Sequence, residues 1–231
     1  MFVDNFQNFE QFIGSEHNDS FQGSSDVEAT EWFEGGYGDD VFCASLGQDN
    51  FSDVRIGFDG GFDTVDYSRL EGSIRFNADT DFVSVRDANG SEISVHRIRD
   101  SIEKVAGTDS HDILAGNRFD NHFDGGRGSD VLTGRGGSDV FIFDGSKGDI
   151  GFDRVTDFEA FEDDLMLKNL HLTNGREVAG FGDLDSNGDG ALNTDDANMF
   201  GFADKTVLLF AEGYVQLDDV PILHESDLLF A

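Results

Sequence analysis

GTDSHDILA GNRFDNHFD GGRGSDVLT GRGGSDVFI, residues 107–142, decides the fold of this chain. The stretch divides into four blocks of nine. Each block opens with Gly. The sixth position holds Asp112, Asn121, Asp130 and Asp139 in turn, and the eighth holds Leu114, Phe123, Leu132 and Phe141. The pattern is GGxGxDxUx, with U a large apolar residue. Gly at positions one, two and four permits positive φ, so six residues can form a tight turn that exposes its carbonyls. The sixth residue adds a side-chain oxygen. Hard oxygen donors of this kind suit Ca²⁺, which takes six to eight of them. The last three residues form a short strand whose middle side chain points inward.

Two blocks make one coil with a turn on each edge, so blocks two apart stack. Asp112 is then expected beside Asp130 around one ion, and Asn121 beside Asp139 around another, with carbonyl support from the turns of Gly125, Gly128, Gly134 and Gly137. Leu114, Phe123, Leu132 and Phe141 become a thin core. One repeat cannot bury such a core alone, so stacking is obligatory. These blocks resemble the repeats-in-toxin family, the haemolysin-type calcium-binding repeat proteins. The fold class that follows is all-β: a parallel β-roll with a mostly β C-terminal cap containing a short helical calcium loop.

Looser copies lie upstream. GSEHNDSFQ (14–22) places Asp19 at position six, and GGYGDDVFC (35–43) places Asp40 there with Phe42 at position eight. ATEWFE keeps Phe33 in the inward slot but has Glu31 where Asp is usual. GGFDTVDYS (60–68) keeps the spacing of Asp63 and Val65. Four regions follow: a degenerate block over 1–68, a β-rich spacer over 69–106, the repeats over 107–143 and a C-terminal cap over 144–231. The spacer alternates apolar and polar residues, and Asn89-Gly90 within it signals a hairpin. Several of the few bases, Arg86, Arg97, Arg99 and Lys104, gather there as local charge balance.

The chain has 48 acidic against 15 basic residues, a net charge of −33. Such charge strains a compact ion-free state by self-repulsion. It also excludes nucleic acid as a partner, since no basic stripe meets phosphate. The 24 Phe and single Pro argue against disorder. Cys43 is the one cysteine, so no intrachain disulfide forms. It falls at position nine, where alternation turns it away from the core. No apolar run is long enough to span a membrane. The opening MFVDNFQNFEQF lacks the charged and apolar regions of a cleaved signal peptide. The resemblance instead implies export by type I secretion machinery through an uncleaved C-terminal signal, and an extracellular location. The final VQLDDVPILHESDLLFA is similar to the family's terminus. GFDRVTDFEAFEDDLMLKNL (151–170) is similar to the strand-rich piece that closes the roll in serralysin-type proteases.

A second calcium motif is DSNGDGALNTDD, residues 185–196. Asp185, Asn187, Asp189, the Ala191 carbonyl, Asn193 and Asp196 fall at positions one, three, five, seven, nine and twelve of an EF-hand loop, with Gly190 at six. Leu192 at eight is the apolar residue that pins such a loop. An exiting helix is expected over Thr194–Phe200. The Gly-rich entering segment makes the loop resemble the isolated loops of dockerin-type modules. No HExxH, GxSxG or phosphate-loop motif occurs, so no catalytic residue is assigned. The reading is a secreted module that folds on Ca²⁺ and serves a structural or binding role toward polysaccharide, a cell surface or a co-secreted protein. The competing readings are an exported hydrolase with its active site inside 44–106, or an accessory subunit.

Overall fold

The computed structural model describes residues 10–24, 26, 28–52, 61–98, 102–202 and 205–231. The opening residues 1–9, Gly60 and Arg99 lie outside them. The chain divides into two units, Met1–Thr108 and Asp109–Ala231.

In the first unit, strands of three to five residues alternate with tight turns. One sheet takes the odd strands: β1 (Glu10–Ile13), β3 (Thr30–Glu34) and β5 (Gln48–Ser52). The facing sheet takes β2 (Ser20–Gln22), β4 (Val41–Cys43), β6 (Thr64–Asp66) and β10 (Lys104–Ala106). All these neighbours pair in parallel. Parallel pairing needs a crossover, and here the crossover of each sheet is a strand of the other. Registers align the inward residues: Phe33 meets Phe51, and Phe42 meets Val65. Phe33 and Phe51 stack at 5.8 Å, and Phe21 and Phe42 at 5.3 Å. Each fully buried ring contributes about 1.5–3 kcal/mol.

The spacer forms an antiparallel meander, β7 (Ser73–Asn77), β8 (Phe82–Arg86) and β9 (Glu92–Ile98). Its second turn is the expected hairpin, with Gly90 at φ +79°. Strand β9 then pairs in parallel with β5, Phe51 opposite Ile98. The spacer therefore belongs to the roll's own sheet.

The second unit repeats this plan strand for strand. One sheet holds β11 (Ile113–Ala115), β13 (Val131–Thr133) and β15 (Gly151–Val155). The other holds β12 (His122–Asp124), β14 (Val140–Asp144), β16 (Asp164–Lys168) and β20 (Leu228–Phe230). The antiparallel meander is β17 (Met199–Phe202), β18 (Lys205–Phe210) and β19 (Gly213–Asp218). Within the units the orders are 1-3-5-9-8-7 with 2-4-6-10, and 11-13-15-19-18-17 with 12-14-16-20. Leu114 lies opposite Leu132 and Phe123 opposite Phe141, all buried as expected. The segment 151–170 does not close the roll. Its strands β15 and β16 pair in parallel with β13 and β14, and so extend it. The loop 185–196 sits in the long β16–β17 connection, whose counterpart in the first unit is only residues 67–72.

Three further expectations need correction or refinement. No helix leaves the calcium-type loop: after a turn, residues 199 onward enter β17, whose pairing of Met199 with Leu208 and Phe200 with Val207 overrides helix formation. The one α-helical turn among the described residues, α1 (Phe181–Leu184), is on the entering side. Cys43 alternates away from the core residue Phe42 as expected, yet this free thiol is buried rather than exposed. In register it lies between Gln22 and Asp66, and Arg69, bonded to Gln22, is close enough to act on it electrostatically. The position-one glycines Gly35, Gly116, Gly125 and Gly134 also do not use positive φ. They are required because a methyl group there would strike the turn's own carboxylate, as at Gly125 against Asp130 and Gly134 against Asp139.

Candidate metal centre

The structure arranges the position-six residues in columns along the edges of each roll. In the second unit, Asp112 N–H donates to Asp130 Oδ1 at 2.8 Å, and Asp130 N–H to Asp153 Oδ1 at 2.9 Å. On the opposite edge Asn121 N–H donates to Asp139 Oδ1 at 2.8 Å, and Asp139 N–H to Asp163 Oδ1 at 2.9 Å. The first unit builds the same ladder: Asp19 to Asp40 at 2.7 Å, Asp40 to Asp63 at 2.8 Å, and Asp63 to Glu103 at 2.9 Å. The expected neighbours Asp112 with Asp130, and Asn121 with Asp139, are thus brought together.

Asp40, Asp130 and Asp139 each accept through Oδ1 from the amide of the turn before and hold Oδ2 beside the glycine at position one of their own turn. Asp130 Oδ2 is buried and accepts no hydrogen bond. Burial pushes the Asp130 carboxyl up to about 9, with Asp153 and Asp112 adding like charge against the opposing bond from Asp112 N–H. Burial likewise raises Asp153 to about 8, Asp139 to about 7 and Asp163 to about 6. A carboxylate this deeply placed needs a proton or a cation. Ca²⁺ suits these residues: Asp130 offers a buried carboxylate oxygen without a hydrogen-bond partner, and the position-six side chains of this column offer oxygen ligands. Gly128 and Gly137, at φ +127° and +102°, keep those turns tight.

Several members of the columns escaped the sequence reading. GDIGFDRVT (148–156) keeps positions one, four, six and eight, which makes Asp153 legible in retrospect. ASLGQDNFS (44–52) keeps four, six and eight around Asp49. Asp163 retains only its spacing from Leu165. Its position four is Phe161, held at φ +69° where Gly is usual.

The loop 185–196 closes on itself. Asp185 accepts from Gly188 N–H at 2.7 Å and Gly190 N–H at 3.0 Å. Asn187, Asp189 and Asn193 each accept from the amide two residues on. Buried Asp196 accepts from Ser186 and Asn193 amides, joining the loop's two ends. Leu192 is fully buried and exchanges both backbone hydrogen bonds with Leu223, at 2.8 and 3.0 Å. Ala191 lies between these anchors, and Gly190 has φ +84°.

The fold and its columns define a calcium-binding β-roll. Residues 106–141 match the family model of the RTX calcium-binding nonapeptide repeat, in four copies. Such repeats bind Ca²⁺, so calcium is the cation of these turns. Among solved structures the chain is similar to extracellular lipase LipA from Serratia marcescens, with 18% identity and a TM-score of 0.38, over 99% of this chain and 41% of that one. The chain spans less than half the length of that lipase. No curated protein matches it.

Proposed function

We propose that this chain is an exported module that stays largely unfolded without Ca²⁺ and folds on binding it outside the cell. The observation that carries this reading is the column Asp112–Asp130–Asp153, three buried acids in a row, in which Asp130 Oδ2 accepts no hydrogen bond. Extracellular calcium modules bind at about 10⁻⁴–10⁻³ M, so a cytosolic chain would be ion-free and fit for threading through a channel. Each filled site adds about 2.7 kcal/mol when Ca²⁺ is at one hundred times its dissociation constant. The exported role fits the resemblance of the C-terminal stretch to the family's terminus, read by type I secretion machinery. Outside, the roll serves as a structural or binding module toward polysaccharide, a cell surface or a co-secreted protein. Asp185, Asn187, Asp189, Ala191, Asn193 and Asp196 hold one further ion in the dockerin-like loop.

The competing reading of an exported enzyme looked to converging His and carboxylate groups within 44–106. His96 and Asp49 do converge there, but both are buried in the roll, which favours a role in the fold. The test is far-UV circular dichroism in chelator and then in millimolar Ca²⁺, with Mg²⁺ as control. Ca²⁺ alone should produce the strand signal. Equal strand content in chelator would sink calcium-gated folding.

A further inference from the structure

Beside the ladder of position-six residues runs a second one, a single residue earlier in each turn. Asn18 Oδ1 accepts from Asp39 N–H at 3.0 Å, and Asp39 Oδ1 from Phe62 N–H at 2.9 Å. In the second unit His111 Nδ1 accepts from Ser129 N–H at 2.7 Å, and Ser129 Oγ from Phe152 N–H at 3.1 Å. On that unit's opposite edge Asp120 Oδ1 accepts from Ser138 N–H at 2.8 Å. In each bond the donor and the acceptor both stand at position five, in turns that stack directly.

These bonds flank the position-six pairs one for one. The bond from His111 runs beside Asp112 and Asp130, that from Ser129 beside Asp130 and Asp153, and that from Asp120 beside Asn121 and Asp139. In the first unit they flank Asp19 with Asp40, and Asp40 with Asp63. The accepting side chains are Asn, Asp, His, Asp and Ser. They share neither charge nor size. What they share is an acceptor atom carried on Cβ or Cγ, short enough to reach the next turn and no farther. Where the repeat decays the bond is lost: beside Asp139 and Asp163, Glu162 N–H turns to the Glu159 carbonyl of its own turn.

We propose that position five is the positioning residue of each calcium turn: its short acceptor ties the turn to its successor and sets the separation of the two position-six side chains. An ion held between two turns needs both ligand sets at one fixed spacing. Asn, Ser and a neutral His hold that spacing with no charge to offset, so part of the ordering cost is met before the ion binds. Asp39 and Asp120 act here as acceptors, and their charge is dispensable.

The test uses the full chain with two substitutions at one site. Asp120→Ala removes the acceptor, and Asp120→Asn removes the charge while keeping the acceptor. A calcium titration followed by circular dichroism should show the midpoint of folding raised roughly three- to tenfold in Asp120→Ala, the loss of one hydrogen bond, and within about twofold of the wild type in Asp120→Asn. In millimolar Ca²⁺, amide exchange at Ser138 should quicken in Asp120→Ala and stay slow in Asp120→Asn. An unmoved midpoint and unmoved exchange in Asp120→Ala overturn the proposal. So does an Asp120→Asn midpoint as high as that of Asp120→Ala, because the carboxylate charge would then serve the ion directly. If Asp120→Ala does not fold, His111→Ala against His111→Asn, read at the Ser129 amide, makes the same comparison on the other edge. The inference rests on the calcium turns and not on export. If the chain is equally folded in chelator, exchange at Ser138 still decides it.

Discussion

At position six a single aspartate meets two demands. One oxygen satisfies the amide of the turn before it, and the other is left for a cation. Asn121 accepts instead from the Asn117 amide of its own turn and supplies only a neutral oxygen. Asp130→Asn should therefore separate the two roles. The amide keeps an acceptor for Asp112 N–H, and it removes a buried charge. Calcium binding loses an ionic contact worth about 1.5–3 kcal/mol, which shifts the calcium midpoint of folding roughly ten- to a hundredfold upward. In chelator at pH 8, the same variant should hold more strand than the wild type. A calcium titration followed by circular dichroism reads both signs, and an unmoved midpoint removes Asp130 from the ligands. The turn glycines are equally local. A methyl group at Gly128 would meet the Ser110 carbonyl in a backbone conformation at φ +127°. Gly128→Ala should cost at least about 1–2 kcal/mol, read as a lowered thermal midpoint in calcium.

At the scale of elements, the strands are too short to stand alone, and each owes its stability to its neighbours. The loop 185–196 is the exception: it is an insertion between β16 and β17 with its own oxygen set. Asp185→Ala with Asp196→Ala should lower the bound calcium count by about one and leave the roll's folding curve largely in place. Calorimetry or native mass spectrometry gives the count. An unchanged count would make the loop an acidic turn tied by its own amides. Anchoring through the Leu192–Leu223 backbone pair accounts for its order without the expected exit helix.

Across the whole molecule, charge and fold are coupled through pH. The raised carboxyls of the second unit, Asp130 at about 9, Asp153 at about 8 and Asp139 at about 7, bind protons more tightly folded than unfolded. Their stabilising effect is fully present below the usual aspartate range and disappears as pH rises through those values. In chelator the strand signal should therefore grow from pH 8.5 down to pH 5. In limiting Ca²⁺ it should fall over the same range, because protons and the cation compete for the same oxygens. Parallel melts in the two conditions check the crossing, and slopes of the same sign would contradict it.

The sequence alone determined what repeats at fixed spacing. Gly and Asp in register over 107–142 specify turn, strand, inward residue and stacking partner, because each block sees the same neighbours. That reach extended to Asp19, Asp40 and the Asn89-Gly90 hairpin. Only the tertiary structure decided what depends on residues distant in the chain. Asp153 and Asp163 join the columns although their blocks have lost most of their glycines: strand pairing with β13 and β14 places them, and Phe161 bears a strained backbone to allow it. Burial of Cys43 depends on its setting between Gln22 and Asp66, beside Arg69, which alternation within one strand cannot show. The likeness of the two ten-strand units, and the meeting of His96 with Asp49, follow from β9 reaching β5 across an intervening meander. Local pattern fixes the repeat, and long-range pairing fixes which side chains share an edge.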